Sequence, residues 1–232
     1  MTHRPTRVLL LLAVALCHPI GPLAAQGATI EGSVSLAEGP ARRTASRYPT
    51  GASAAHPMQS VRAAVFLEIG DRAVAEAADG SANGSSAGAA APSLVDLVQR
   101  DTVFAPSTIA VRAGTVVRFP NADPFFHNVF SYASSVRFDL GRYPEGDSRE
   151  VRLDRPGIVR VFCEVHEFMR AVILVTDDPY HAVVGDDGTF RMTGVPPGRH
   201  TLVAYHPDTG RVERPVSVVG AETVRIDLAL ER

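Results

Sequence analysis

Beyond residue 26 the chain alternates apolar and polar residues in short runs, with a period of two, and helical periodicity is scarce. Residues 29–36 (TIEGSVSL) and 61–69 (VRAAVFLEI) read as two strands. Between them, 37–60 is rich in Pro, Ala, Ser and Arg and reads as a long mobile loop. Residues 76–92 (EAADGSANGSSAGAAAP) hold too little apolar surface to fold and read as a flexible linker. Short strands are then expected at 101–106, 109–112, 115–120, 125–130, 138–140 and 150–153, with Ala113-Gly114 and Arg155-Pro156-Gly157 as turns. Alternating Val159 and Val161 lead into a short loop, and the apolar run 171–175 leads out of it. A last region, 179–230, ends in a strand at 223–230. The expected class is all-β, with a Greek-key sandwich in the middle of the chain.

The first residues break this pattern. Arg4 and Arg7 with no acid, an apolar run over 8–17 and the small residues Ala24 and Ala25 are the layout of a secretory signal peptide covering 1–25. Its apolar core is short for a membrane span, and Leu16 is too bulky for Cys17 to serve as a lipid attachment point. The expectation is an exported protein, periplasmic or extracellular, with no transmembrane segment. Charge adds little. All 23 Lys+Arg positions are Arg, the net charge is −2 and Trp is absent. No basic patch suggests a nucleic-acid partner.

Export makes the cysteine count informative. Loss of 1–25 removes Cys17 and leaves one thiol, Cys163, so no intramolecular disulfide can form. An odd cysteine in an exported chain points to a reactive or liganded thiol; the alternative is an inert, buried one. The stretch 159–170 reads VRVFCEVHEFMR, which places Cys163, His166 and Met169 three residues apart on one loop between two strands. A fourth donor is available from FHNVF as His127. Two imidazoles, a thiolate and a weak axial thioether are the set a mononuclear blue-copper electron-transfer site requires. Phe126 and Phe168 could form an apolar collar around an exposed His166 edge where a redox partner docks, and core packing is the alternative. Phe162 falls on the strand face opposite Cys163 and reads as core.

With these residues in view, FAPSTIAVRAGTVVRFPNADPFFHNV and GIVRVFCEVHEFMRAVILV together resemble a cupredoxin of the amicyanin and plastocyanin kind, over roughly residues 98–175. The Cys-x-x-His-x-x-Met loop is similar to the short amicyanin form, and the whole chain resembles exported cupredoxins labelled methylamine-utilisation-like. The resemblance implies one type 1 copper held by His127, Cys163, His166 and Met169, with His166 exposed and His127 buried. It also implies that Asn128 hydrogen-bonds across to the ligand-loop backbone. In the last region, GDDGTFRMTGVPPGRHTLVAYHP resembles carboxypeptidase-regulatory-like (transthyretin-like) β-sandwich modules. Such modules usually open with strands like those at 29–36 and 61–69. The expected organisation is therefore a discontinuous module, 26–75 and 178–232, with the linker 76–92 and a cupredoxin domain, 93–177, inserted; linker length costs little entropy.

Other candidates carry less. His200 and His206 share a strand face by parity but have no Cys or acidic cluster beside them, and His56 reads as surface. Asp123 and Glu145 show no pairing that suggests acid–base work. Glu164 and Glu167 flank ligands and read as solvated loop charges. A Cys–His nucleophile lacks an orienting acid or oxyanion motif. Three function classes follow: a one-electron carrier passing electrons between redox partner proteins, a copper enzyme, and a copper-binding or protein-interaction module without redox turnover. The enzyme would need a second, His-rich copper site, which the sequence does not offer, so the carrier is the expected function and the chain is not expected to be an enzyme.

Overall fold

The computed structural model describes residues 27–37, 59–69 and 93–231. The signal-like segment 1–25, the linker 76–92, His56 and most of the loop 37–60 lie outside the described residues. Within them every regular element is a strand, as the two-residue periodicity predicts. The first two strands are β1 (Ala28–Leu36) and β2 (Ala64–Ile69). Next come β3 (Leu94–Asp96), β4 (Val98–Arg100), β5 (Val103–Ala105), β6 (Thr108–Arg112) and β7 (Thr115–Pro120). They are followed by β8 (His127–Tyr132), β9 (Arg137–Tyr143), β10 (Ser148–Leu153), β11 (Gly157–Phe162) and β12 (Arg170–Thr176). The chain finishes with β13 (His181–Val183), β14 (Thr189–Val195), β15 (Gly198–His206), β16 (Gly210–Val218), β17 (Thr223–Arg225) and β18 (Leu228–Leu230).

The strands β3 to β12 make one body. Five of them form a sheet in the order β6-β12-β11-β8-β9, and β10-β7-β3 form a second. Alternation decides what each sheet buries. Thr115, Val117 and Phe119 of β7 face inward, as do Val159 and Val161 of β11, and the same parity carries Cys163 into the core. Strand β9 needs a correction of parity, because Phe138, Leu140 and Tyr143 all turn toward the same core. The β8–β9 register slips between Asn128 and Phe130, and Gly141 in β9 has φ 66°. That glycine bulge inserts one residue and lets Tyr143 pair with His127 as a fully buried ring.

The second body joins the two ends of the described chain. β1 pairs antiparallel with β14 and parallel with β17 and β18, while β2 lies between β13 and β15, with β16 beyond. Its core includes Ile30, Val65, Leu67, Phe190, Met192, Leu202 and Leu228. Gly32 of β1 is required by close approach. A Cβ there would collide with the Ile226 carbonyl, where the chain crosses to donate its N–H to Glu31 O at 2.9 Å.

The seam between the bodies explains why 171–175 is apolar without interruption. Ala171, Ile173 and Val175 face the first core, while Val172 turns outward onto Val61 and Tyr205. Polar bonds cross the same seam: Arg160 Nε donates to Tyr205 Oη at 3.1 Å, and Arg62 N–H donates to Thr108 Oγ1 at 2.9 Å. Gln59, expected in a loose loop, is instead held at both ends. Its side chain donates to Phe104 O at 2.6 Å and accepts the Phe104 N–H at 3.0 Å, and its own N–H donates to Phe168 O at 2.9 Å.

Two consequences can be measured. Gly32→Ala forces β1 from the chain that crosses it, at a cost of about 2–3 kcal/mol, seen as a fall in urea midpoint with unchanged slope. Burial lowers the pKa values of His181 and His206. The unfolded chain therefore takes up protons near its ordinary histidine value of about 6.5 that the folded chain refuses. Stability is fully present above that value and falls as pH drops below it, so Tm declines between pH 7.5 and 5.5.

Candidate metal centre

The ligand loop begins where β11 ends and closes where β12 begins. Six paired positions from Gly157↔Val175 to Phe162↔Arg170 align the two strands, so residues 163–169 must return within one strand spacing. The Met169 N–H donates to His166 O at 2.9 Å and the Cys163 N–H to Met169 O at 3.4 Å. These bonds fold the loop onto itself. His127 arrives from β8, which pairs with β11 through Phe130↔Phe162. A strand 36 residues earlier in the chain thus sets its first residue beside Cys163.

The three donors converge. Cys163 Sγ lies 3.6 Å from His127 Nδ1 and 4.0 Å from His166 Nδ1, and the two ring nitrogens are 3.1 Å apart. Among the described residues these are the one group of three His, Cys, Asp or Glu donors gathered within ligating reach. Typical bonds of ~2.0 Å to imidazole nitrogen and ~2.3 Å to thiolate sulfur fit a triangle of this size, so His127, Cys163 and His166 could hold one ion together. The donor set therefore fits a soft, trigonally coordinated ion. Cys163 and Met169 are buried in the same core cluster, and Met169 is fully inaccessible. His127 is also fully buried, whereas His166 is half-buried.

Around the donors, Asn128 Oδ1 accepts the Glu164 N–H at 2.7 Å, a bond from β8 to the ligand-loop backbone. Burial and the neighbouring His127 push His166 below its ordinary pKa, which favours the neutral imidazole that metal binding needs. Glu164 is paired with Arg142 at 3.3 Å on the surface and adds little field. The phenylalanines sort differently from the sequence expectation. Phe125 lies 5.2 Å from the His127 ring and 5.4 Å from that of His166, and Phe168 lies 5.9 Å from His166. Phe126 is 55% exposed and Val165 42% exposed. Phe162, expected in the core, is half-buried on the outer sheet face and stacks on Phe130 at 5.8 Å.

One residue at this site was not legible as functional. Asp123 is 4% exposed, and its Oδ2 lies 2.8 Å from His127 Nε2, the nitrogen facing away from the donor triangle. Its Oδ1 accepts the Asp101 N–H at 2.6 Å and Oδ2 the Thr102 N–H at 3.1 Å. Burial alone would raise the Asp123 pKa; the hydrogen bonds from Thr102, His127 and Asp101 outweigh it and hold the carboxyl below its ordinary value. Residues 101–102, expected to be strand, are a two-residue turn between β4 and β5 with φ 56° and 59°. His200 and His206 are both buried, but they bond to the carbonyls of Pro196 and Val61 and form no second site.

The loop is also tied to the second body. Arg170, next to Met169, makes two 2.6 Å bonds to the Asp208 carboxylate, and its Nε donates to Gln59 O at 2.8 Å. Both side chains of this fork are largely shielded, at 17% and 26% exposure. Asp208→Ala leaves the guanidinium partly buried and removes two charge-assisted bonds. The expected loss is about 1.5–3 kcal/mol, read by urea unfolding, with faster hydrogen exchange at the amides of 163–170.

No family model matches the chain, and no curated protein matches it. Among solved structures, the Cu(I) form of an amicyanin mutant is 16% identical over 36% of this chain and 82% of its own length, with a TM-score of 0.34. An oxidised amicyanin mutant is 19% identical over 37% and 83%, with a TM-score of 0.33. A copper-containing nitrite reductase from Thermus scotoductus SA-01 is 22% identical over 43% of this chain, which spans 26% of the reductase; the TM-score is 0.35. At scores this low the likenesses carry no weight for function. Among the described residues no helix is long and apolar enough to cross a membrane.

Proposed function

We propose that the protein is an exported one-electron carrier that holds one type 1 copper ion on His127, Cys163, His166 and Met169. The observation that carries this reading is the convergence of two imidazole nitrogens and one cysteine sulfur within 4.0 Å of one another in a largely buried site. When bound, copper supplies a Cu(I)/Cu(II) couple that takes up and releases a single electron. The protein's part is to hold the donors still. His127 is held as the first residue of β8 and Cys163 directly follows the last residue of β11, so neither would need to move between oxidation states. Met169, buried in the same core cluster as Cys163, would supply the fourth and weakest donor through its thioether.

The half-buried His166 is where electrons enter and leave. Its ring is flanked by Phe125 and Phe168, and the exposed Phe126 and Val165 extend the apolar surface on which a redox partner protein docks. Residues 1–25 direct the chain to the periplasm or beyond. The strands 28–36 and 64–69 complete the transthyretin-like module with 181–230, and 94–176 form the inserted cupredoxin domain. The chain acts as a carrier and not as an enzyme in this reading, since His127, Cys163, His166 and Met169 together would hold the copper without a position for substrate.

Titration of purified protein with Cu(II), followed by visible spectroscopy and voltammetry, tests this reading. The wild type takes up one equivalent, turns blue and shows a reversible one-electron wave. Cys163→Ser loses the blue band, because the band requires the thiolate; full colour in that variant contradicts the assignment. Met169→Leu keeps copper and shifts the potential upward. A colourless, redox-silent wild type supports instead a binding module without turnover.

A further inference from the structure

Cys163, His127 and His166 face a common point, but an imidazole can donate to a metal only through an unprotonated nitrogen. Which nitrogen of His127 carries the proton is therefore decided by what its far side meets. There, among the described residues, it meets Asp123, whose Oδ2 lies 2.8 Å from Nε2. Three contacts converge on the carboxylate, and two of them come from backbone amides, which can only donate. Asp101 N–H reaches Oδ1, and Thr102 N–H shares Oδ2 with His127. Two donated amide hydrogens favour the ionised carboxylate, which has no proton to offer the ring. Nε2 must be the donor, and Nδ1 is left with its lone pair toward Cys163 and His166.

The clamp is built at a cost. A two-residue hairpin turn with positive φ at both positions favours Asn-Gly or Gly-Gly, yet here it is Asp101-Thr102 at 56° and 59°. A left-handed conformation is unfavourable for a non-glycine residue. The same conformation aims two successive amides at one point, which Asp123 occupies. Asn121 braces the carboxylate's own backbone, accepting the Asp123 N–H at 3.0 Å and donating to Tyr143 O at 3.1 Å.

We infer that Asp123 is a positioning residue of the metal centre: clamped by the Asp101-Thr102 turn, it fixes His127 as the Nε2–H tautomer and, through its buried negative charge, favours the more highly charged oxidation state of the ion. The inference rests on the copper reading proposed above and adds to it a residue that touches no metal. A carboxylate behind a ligating imidazole raises the ligand's basicity and is worth 10- to 100-fold in metal affinity. Its charge acts more strongly on Cu(II) than on Cu(I), so it holds the reduction potential down.

The test pairs a variant with a measurement on the unaltered chain. In Asp123→Asn, Cu(II) affinity falls by 10- to 100-fold and Cu(I) affinity by about tenfold less. The potential then rises by ~59 mV, the one-electron equivalent of that tenfold difference. On the wild-type full chain labelled with 15N-histidine and free of metal, NMR shows a slowly exchanging proton on His127 Nε2 and an unprotonated Nδ1. A wild type that binds copper while Asp123→Asn matches its potential and affinity overturns the role given to Asp123 and leaves the carrier reading standing. An Nδ1–H tautomer in the wild type overturns it as well, whether or not the variant folds. A wild type with the Nε2–H tautomer that takes up no copper overturns the carrier reading, and with it the effect on potential.

Discussion

The antiparallel pairing of β8 with β11 is the constraint on which the rest of the molecule depends. Cys163, His166 and Met169 need only a short loop to share one neighbourhood, because the β11–β12 ladder brings its two ends together. His127 lies 36 residues from Cys163 and has no such local guarantee. Its place is set by Phe130 facing Phe162 across β8 and β11, and by Tyr143 seated opposite it in β9. A register slip of one residue in β8 would turn its inward side chains outward. The buried Val129 and Ser131 resist that slip, and the Gly141 bulge lets Tyr143 fill the floor.

The second body matters to the centre through the loop's last residue. Arg170 closes the ligand loop on one side and grips Asp208 on the other, while Gln59 reaches Phe168, Arg170 and Phe104 at once. Charge-assisted forks of this kind hold orientation as well as distance. The loop is thus clamped at its far end by a sheet to which none of its ligands belongs. The seam beside that clamp is closed by Val61, Val172 and Tyr205 of β15, which pack on one another.

Much of this was readable from sequence because it follows from parity and spacing. The strand character, the inward path of Val159-Val161-Cys163 and the three-residue ligand spacing are local patterns, and the convergence of His127 with that loop is present in the structure. Pairing of β1 and β2 with the last third of the chain was readable only through resemblance, since sheet partners are not encoded in neighbouring residues. Asp123 was hidden for a definite reason. Its clamp is a turn of two residues at positive φ with no glycine or asparagine to announce it, so 101–106 read as unbroken strand. Gln59 was hidden likewise, by a run of Pro, Ala and Ser that says nothing about where a single amide is captured. Phe125 rather than Phe126 lies against the imidazoles because of the bend ahead of β8, which alternation alone does not place.

The central claim is that one thiolate and two imidazoles hold a single copper ion between β8 and the β11–β12 loop. X-ray absorption at the copper K-edge of the loaded full-length protein measures this directly. The account requires one short sulfur bond and two nitrogen bonds, with no equatorial oxygen shell. A first shell of four nitrogen or oxygen atoms without sulfur would contradict it.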